Sequence, residues 1–248
     1  MTDEALLELL REAAVAVRRA LDGVDDWGPS GRKLGQYSLD LVADSAALEV
    51  LGKAEVGVLS EESGFHHPER EMWVALDPVD GSTNASRRLP WYASSLCLLD
   101  GEGPRVALVV NLATGDRFEA IRGTGAWLNE APIAPTSCPT LSQAVLGITA
   151  CPPVPTGARQ VRALGAAALD LCAVASGSLD AYIDFSRSSH GPWDYLAGVL
   201  ICTEAGAHVT EAAGRELVAR GIDDRRIPVA AATQSLLDEV VAARAAQP

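Results

Sequence analysis

The segment at residues 76–84, Leu-Asp-Pro-Val-Asp-Gly-Ser-Thr-Asn, constrains the fold more than any other part of the chain. It follows an apolar run at 72–76 that is typical of a buried strand. Because proline cannot donate to a strand ladder, we expect the strand to end abruptly at Asp77 and its proline. Gly81 then permits a sharp bend. The segment therefore predicts that Asp77 and Asp80 are held close together at the end of a strand.

Two carboxylates this close repel each other at pH 7, and a hard divalent cation between them relieves that repulsion. The backbone N–H groups of the turn at 81–83 suit a phosphate, particularly if a helix begins there. A plain β-turn that carries Asp-Pro and Asp-Gly for conformational reasons is the alternative. An EF-hand loop is excluded because Pro78 and Val79 separate the acids. Phosphatases with an aspartyl nucleophile use Asp-x-Asp, whereas this chain has Asp-x-x-Asp, so the spacing favours metal ligands.

Three further motifs accompany this segment. Ser-Glu-Glu-Ser lies upstream at 60–63, Phe-Glu-Ala with Gly-Thr-Gly-Ala-Trp-Leu-Asn at 118–129, and Trp-Asp-Tyr-Leu-Ala-Gly at 193–198. In this order and spacing, the four motifs resemble those of the inositol monophosphatase family, which are magnesium-dependent, lithium-sensitive phosphatases. The resemblance extends from about residue 6 to residue 232.

The periodicity of apolar residues predicts helices at 3 to about 21, 39–51, 165–176, 193–205 and 235–243. Strands are predicted at 56–59, 72–76, 144–148, 180–184 and 228–232, with an antiparallel meander at 94–99, 106–112 and 118–121. This pattern alone fits α+β or α/β with mixed sheets. The resemblance implies α+β, with the layered αβαβα sugar-phosphatase fold.

A proline-rich stretch at 132–155 indicates a join between two parts of the chain. We predict an N-terminal α+β half, 1–135, that carries most of the metal ligands. The C-terminal α/β half, 136–248, would carry Asp194 and the substrate pocket. With 248 residues, of which 48% are hydrophobic, the chain has enough apolar side chains for a large core.

The net charge of −13 argues against a nucleic-acid or anionic-membrane partner. No stretch approaches the ~20 apolar residues that span a bilayer. The N-terminus is acidic and unlike a signal peptide. The five cysteines are odd in number and lack Cys-x-x-Cys spacing, and Cys97, Cys172 and Cys202 lie in apolar runs that favour core positions. We therefore expect a cytoplasmic protein with reduced cysteines.

The resemblance implies a set of metal ligands. Glu61, Asp77 and the carbonyl of Val79 would hold one Mg²⁺ ion. Asp77, Asp80 and Asp194 would hold a second. Asp194 follows Pro-Trp at a predicted helix start, where Asp is also a common N-cap, and the two roles are compatible.

The resemblance also implies the catalytic residues. Ser82, with Glu61, would orient and deprotonate a metal-activated water, the role of Thr in the family motif. A third, weaker ion would use Asp40, because Tyr-Ser-Leu-Asp at 37–40 stands where the family has Thr-x-x-Asp. Asp44, one turn further along the same helix, is the alternative ligand. If neither binds, two ions serve.

Substrate contacts are implied in the same way. The Gly81, Ser82 and Thr83 turn would bind phosphate, and Gly165 and Ala167 would line the alcohol pocket. Asp184 stands where the family has a Glu that accepts hydrogen bonds from substrate hydroxyls. Arg187 and His190 lie in a loop longer than is usual for the family. They either read a second phosphate, as in bisphosphatases, or are solvated loop residues.

The function predicted from these residues is a Mg²⁺-dependent phosphomonoesterase that hydrolyses a small polyol or sugar phosphate, inositol monophosphate by default. One alternative is a bisphosphatase acting on fructose 1,6-bisphosphate or a nucleotide 3′-phosphate. Another is a catalytically weak metal-binding regulatory protein. The partner is thus a small phosphorylated metabolite, and the resemblance implies a homodimer.

Overall fold

The computed structural model of the protein describes residues 1–31, 36–186 and 190–247. Within these ranges the helices are α1 (Asp3–Asp22), α2 (Ser38–Leu51), α3 (Ser82–Ser86), α4 (Ala167–Ala175), α5 (Pro192–Ala205) and α6 (Gln234–Ala245), with a short 3-10 turn at Leu141–Gln143. The strands of the first sheet are β1 (Gly57–Ser60), β2 (Gly64–His66), β3 (Trp73–Asp80), β4 (Ala93–Asp100), β5 (Gly103–Asn111), β6 (Arg117–Ile121), β7 (Gly125–Leu128) and β8 (Ala131–Pro132). The strands of the second are β9 (Val145–Thr149), β10 (Gln160–Arg162), β11 (Ala181–Asp184), β12 (His208–Glu211) and β13 (Pro228–Ala231).

The first sheet has eight strands in the order β2-β1-β3-β4-β5-β6-β7-β8. All neighbours are antiparallel except β1 and β3, which are parallel. The second sheet has the order β10-β9-β11-β13-β12, parallel from β10 to β11 and antiparallel beyond. The predicted meander is confirmed as β4, β5 and β6.

The helices lie in three layers that alternate with the two sheets. Helices α1 and α2 pack on one face of the eight-stranded sheet, where Leu96 and Leu98 of β4 point. Cys97 and Leu99 point to the opposite face and meet α4 and α5. Those two helices also cover one face of the five-stranded sheet, and α6 covers its other face. Because both faces are covered at the centre of each sheet, the central strands such as β3, β4, β9 and β13 are mostly buried and largely apolar. The layered αβαβα fold is confirmed.

The predicted helices agree with α1, α2, α4, α5 and α6 to within two residues at either end. The strand predicted at 72–76 was cut short, which was wrong, because β3 continues to Asp80. Its register with β4 shifts between Asp77, opposite Ser95, and Asp80, opposite Ala93. The proline without an N–H is accommodated in this bulge, so the strand bends rather than ends. The sequence analysis also missed β2, β10 and β12, which are only three or four residues long.

The last strand of the first sheet, β8, ends at Pro132, and β9, the first strand of the second sheet, begins at Val145, inside the predicted join at 132–155. The division into halves at 135/136 stays a prediction. Cys97, Cys172 and Cys202 are buried, as expected. No cysteine in the described ranges forms a disulfide. None of the helices described above is long and apolar enough to cross a membrane.

Candidate active site

The parallel pairing of β1 and β3 places Glu61 beside Asp77. Ser60, the last residue of β1, lies opposite Leu76 of β3, so the next residue of each strand emerges at the same edge of the sheet. The N–H of Glu61 still donates to the carbonyl of Leu76 at 3.1 Å. Neighbouring strands are ~4.8 Å apart, so the two acidic side chains start close together.

Asp194 joins this pair from the first turn of α5. Oxygen atoms of Glu61, Asp77 and Asp194 lie within 4.8 Å of one another, the arrangement that a bound cation requires. Asp194 is not the N-cap, which is Gly191; it is the third helical residue. From there its Oδ2 accepts the N–H of Gly191 at 2.8 Å, so the carboxylate caps the helix by reaching backwards.

Asp80 lies at the end of the β3 bulge, outside this 4.8 Å group but within electrostatic range of Asp194. It is 8% exposed. Its Oδ2 accepts the backbone N–H of Ala168 at 2.7 Å, in the first turn of α4. A carboxylate at a helix N-terminus is favoured by the free N–H groups there. This hydrogen bond connects Asp80 to α4, which lies between the two sheets.

The electrostatics of the group are those of an anionic cluster without a counter-ion. Burial and then repulsion by Glu61 and Asp80 hold the pKa of Asp77 well above its usual range. Burial, with repulsion by Asp194, raises the pKa of Asp80 to about 8. Burial of its carboxyl and repulsion by Asp194 also hold the pKa of Glu61 above its usual range, although the residue as a whole is exposed. Clustered carboxylate oxygens of this kind fit a hard divalent cation, which would relieve the repulsion.

The turn after Asp80 packs tightly against the start of α4. Gly81 has a φ of +87°, in the left-handed region that glycine adopts most easily. A Cβ at this position would lie 3.1 Å from the Ala166 Cβ and 3.1 Å from the carbonyl oxygen of Gly165. The predicted phosphate turn and the predicted alcohol pocket at Gly165 and Ala167 are thus brought into contact.

Ser82 and Thr83 begin the short helix α3. The Ser82 hydroxyl donates to the carbonyl of Val79 at 2.9 Å, the same carbonyl that was predicted to bind a metal. A carbonyl oxygen has two lone pairs, so this bond leaves one for a cation. The Thr83 hydroxyl lies 3.1 Å from the phenol oxygen of Tyr37, which therefore reaches across the turn.

Asn84 holds the turn in place. Its amide nitrogen donates to the carbonyls of Trp91 at 2.8 Å and Leu164 at 2.7 Å. The amide therefore connects α3, the segment that leads into β4, and the segment before α4. Gly165, with a φ of +89°, lies directly against this amide, where a Cβ would be 3.1 Å from Nδ2. These contacts make Asn84 a structural residue of the turn.

Asp40 faces the carboxylate group, whereas Asp44 is engaged elsewhere. Asp40 contributes to the raised pKa values of Glu61 and Asp77, and its own pKa is raised to about 6 by burial. Its Oδ2 accepts the N–H of Tyr37 at 2.8 Å. Its Oδ1 is buried and has no hydrogen-bond partner among the described residues. Asp44 instead accepts the hydroxyl of Ser60 at 2.5 Å. This geometry favours Asp40 of the two candidates.

The predicted substrate contacts near 184–190 have a different setting from the one expected. Asp184 is fully buried, and its oxygens accept the N–H and hydroxyl of Ser186 at 2.6 and 2.8 Å. It therefore has no exposed oxygen for a substrate in this structure. The His190 side chain is only 14% exposed and hydrogen-bonds to the Tyr182 hydroxyl. It is therefore not a solvated loop residue, and its Nε2 is already occupied and not free for a second phosphate. Arg187 lies outside the described residues.

Comparison with known proteins agrees with these motifs. A model of the inositol monophosphatase family matches residues 39–247. The chain belongs to this family. A relative from Archaeoglobus fulgidus, named fructose-1,6-bisphosphatase/inositol-1-monophosphatase, is 35% identical over 247 residues, 95% of this chain and 96% of that protein. A relative from Xylella fastidiosa, named Nus factor SuhB, is 32% identical over 203 residues, 75% of this chain and 72% of that protein.

The fold is shared with solved structures of the family. An inositol monophosphatase from Anabaena superposes with a TM-score of 0.81 at 27% identity, over 99% of this chain and 97% of that one. This inositol monophosphatase family member is therefore a phosphoric monoester hydrolase with the fold that the resemblance implied. The family is metal-dependent, and the acidic group of Glu61, Asp77 and Asp194 is suited to a metal.

Sequence reasoning missed Tyr182 as a residue near the site. It lies two positions before Asp184 on β11, and side chains two apart in a strand point to the same face. That alternation is the signal in the sequence that could have placed Tyr182 beside the predicted pocket. It also missed the Trp91 indole, whose N–H donates to the buried Asp170 at 2.8 Å. No local pattern connects those two residues, because they belong to different layers.

Proposed function

We propose that the protein is a Mg²⁺-dependent phosphomonoesterase acting on a small polyol or sugar phosphate, with inositol monophosphate as the first candidate. The observation that carries this proposal is that carboxylate oxygens of Glu61, Asp77 and Asp194 all lie within 4.8 Å of one another. Three carboxylates supply the oxygen ligands that Mg²⁺ prefers. The backbone N–H groups of the adjacent turn suit a phosphate.

The ligands would be divided between two ions, with Asp77 shared by both. Glu61 and the Val79 carbonyl would complete one site, and Asp80 and Asp194 the other. Bound Mg²⁺ ions neutralise phosphoryl oxygens and make water acidic enough to attack phosphorus at neutral pH. Asp40, buried beside this group with one oxygen unpaired among the described residues, would serve a third, weaker site and act catalytically through it.

The remaining site residues would position water and substrate. Ser82, together with Glu61, would orient the attacking water and take its proton. Gly81, Ser82 and Thr83 would hold the phosphate with their backbone N–H groups. Gly165 and Ala167, in contact with that turn, would line the pocket for the alcohol. Arg187 would contact a second phosphate. Asp184 would contact a substrate hydroxyl only if Ser186, which now occupies both of its oxygens, moves away.

A bisphosphatase activity is the second candidate. It is supported by the A. fulgidus relative, whose name combines fructose-1,6-bisphosphatase and inositol-1-monophosphatase. A catalytically weak regulatory protein is the third, supported by the relative named a Nus factor. Against the third, each carboxylate of the two proposed metal sites is present in this chain.

The test is phosphate release from metal-stripped protein, across a panel of phosphomonoesters and bisphosphates, with and without added Mg²⁺. We expect turnover only with Mg²⁺, and fastest for one polyol or sugar monophosphate. Faster release from fructose 1,6-bisphosphate than from any monophosphate would favour the bisphosphatase. No release from any compound, with Mg²⁺ binding still detectable by calorimetry, would favour the regulatory protein. Inhibition of turnover by millimolar lithium is expected if the family's lithium sensitivity applies.

We also propose that the protein is a cytoplasmic homodimer. The family resemblance supports the dimer, and the free cysteines are compatible with a reducing compartment. Light scattering of the purified protein would test the dimer; a monomer mass at micromolar concentration would contradict it.

A further inference from the structure

His190 lies between the proposed metal ligand Asp194 and the five-stranded sheet. Its Nδ1 is 3.3 Å from Oδ2 of Asp194, and its Nε2 is 2.9 Å from the hydroxyl of Tyr182. Tyr182 is fully buried in β11. The imidazole therefore connects a side chain of the site to the interior of the neighbouring layer.

The partners of the imidazole determine the direction of its hydrogen bonds. A carboxylate can only accept, so Nδ1 carries the proton that faces Asp194. In the neutral ring Nε2 then accepts from the Tyr182 hydroxyl. The hydroxyl of Thr149, 2.8 Å from the Tyr182 oxygen, completes the series as its donor. Thr149, Tyr182 and His190 thus all donate in one direction, towards Asp194.

The backbone around His190 is fixed as well. Its N–H donates to the carbonyl of Arg226 at 2.9 Å, and the Arg226 N–H donates back to the His190 carbonyl at 2.9 Å. With the backbone paired and Nε2 bound to a buried phenol, the ring has little freedom to rotate. Oδ2 of Asp184 lies 3.6 Å from Nε2, beyond hydrogen-bond distance.

The donors to Asp194 converge on one of its two oxygens. Oδ2 receives the N–H of Gly191 at 2.8 Å and faces Nδ1 of His190 at 3.3 Å. Within the described part of the chain, both of these contacts are made by Oδ2, so the lone pairs of Oδ1 are left for a cation. An arrangement that fixes one oxygen and presents the other is how outer hydrogen bonds orient a metal ligand.

We propose that His190 is a positioning residue that orients Asp194 for metal binding, and that Tyr182 and Thr149 hold His190 in place. The inference rests on the proposed function, in which Asp194 is a metal ligand. Loss of such an outer partner typically weakens metal binding by about 10- to 100-fold. The role differs from substrate recognition, for which a ring that is 14% exposed offers little surface.

The first test compares two buried phenols by removing one hydroxyl at a time. Tyr182→Phe removes the donor to His190. Tyr195→Phe is the matched control, because Tyr195 is buried next to Asp194 but its hydroxyl donates to the Leu217 carbonyl at 2.7 Å. Mg²⁺ affinity is measured by calorimetry on metal-stripped protein without substrate. We expect about 3- to 10-fold weaker binding for Tyr182→Phe, the effect of one hydrogen bond, and wild-type affinity for Tyr195→Phe. Equal affinities in the two variants would overturn the proposal.

The second test replaces the ring itself. The amide nitrogen of Asn lies near the position of Nδ1, whereas that of Gln lies near Nε2. His190→Asn can therefore still donate to Asp194, and His190→Gln cannot. We expect His190→Gln to bind Mg²⁺ about 10- to 100-fold more weakly and His190→Asn to recover most of that loss. A residue that only stabilises the fold would lower the thermal midpoint in both variants without this difference in affinity, and that result would refute the assignment.

The two proposals fail in different ways. If the wild type and the variants bind Mg²⁺ with the expected order of affinities but the wild type releases no phosphate, the positioning role stands and the phosphatase proposal fails. If wild-type protein is an active phosphatase and all variants keep its Mg²⁺ affinity, the positioning role is refuted and the phosphatase stands.

Discussion

The variant Asp80→Asn distinguishes two effects of this carboxylate: the loss of stability caused by its buried charge, and its proposed part in Mg²⁺ binding and phosphate release. The substitution removes a charge while the Asn side-chain carbonyl can still accept the Ala168 N–H that Asp80 accepts at 2.7 Å. The pKa of Asp80 is raised from 3.8 in the unfolded chain to about 8 in the folded protein. Between pH 3.8 and pH 7, about three pH units, the unfolded chain is therefore favoured because its Asp80 can ionise. At about 1.4 kcal/mol per unit, this amounts to at most about 4 kcal/mol. Asp194 shares part of that energy, so we expect a gain of about 1–4 kcal/mol for the variant without metal.

The pH dependence has a definite sign. A carboxyl with a raised pKa binds its proton more tightly in the folded state, so the metal-free wild type loses stability as the pH rises from about 4 to about 8. The variant lacks this loss. Below pH 4 the difference should vanish, and at pH 8 it should be largest. Each kcal/mol corresponds to about 2–4 °C in thermal midpoint for a protein of this size.

Mg²⁺ should narrow or reverse this difference in stability. At a concentration 100 times its dissociation constant, a ligand stabilises the wild type by about 2.7 kcal/mol, whereas a variant without Asp80 should gain far less. Phosphate release should fall by roughly 1000-fold or more, since a cation supplies several kcal/mol of transition-state stabilisation. The assay is thermal unfolding from pH 4 to pH 8, in chelator and in Mg²⁺, with phosphate release measured on the same samples.

Asp170→Asn is the matched control. Asp170 is also fully buried, and burial raises its pKa to about 7, but it is not one of the proposed ligands. Its variant should gain stability in chelator and keep both the response to Mg²⁺ and phosphate release. Wild-type phosphate release by Asp80→Asn would refute the metal assignment. An Asp80→Asn variant no more stable than wild type at pH 8 in chelator would refute the electrostatic argument.

Substitutions at three further positions test the site and the packing of the sheet behind it. Gly81→Ala puts a Cβ 3.1 Å from that of Ala166 at a φ of +87°; we expect about 2 kcal/mol lower stability by urea unfolding and loss of phosphate release. Ser82→Ala should reduce turnover about 100-fold and Ser82→Thr should retain it, whereas full activity of the alanine variant would exclude the proposed proton transfer. Glu119→Gln breaks a bidentate pair with Arg11 (2.8 Å at each oxygen); we expect about 2–3 kcal/mol lower stability with turnover kept, and an unchanged urea midpoint would contradict this.

The amount that the sequence predicts differs between parts of the site. The motif at 76–84 names three of the functional groups because they are adjacent in the chain, and a turn of that composition has few conformations. It misplaces the end of β3, because whether a proline ends a strand or bulges it depends on the neighbouring strand. Only pairing with β4, opposite Ser95 and Ala93, decides that outcome.

Residues distant in sequence depend on register and packing. Local periodicity predicts β1 and β3 but not that they are parallel, and parallel pairing is what brings Glu61 beside Asp77. The same holds for His190, which the sequence leaves as either a phosphate contact or a solvated residue. Its position against Tyr182 follows from the docking of α5 on the five-stranded sheet.

The sequence by itself therefore determined five of the helices and most strands, which depend on local composition and periodicity that neighbours in the chain specify. The layered class of the fold and the set of metal-binding carboxylates came from the resemblance of its four motifs to a known phosphatase family. The tertiary structure decided which oxygens converge, that Asp40 rather than Asp44 faces the acidic group, and that Asp184 is buried. These depend on strand register and layer packing, which arise from many weak contacts between distant segments and leave no local pattern in the sequence.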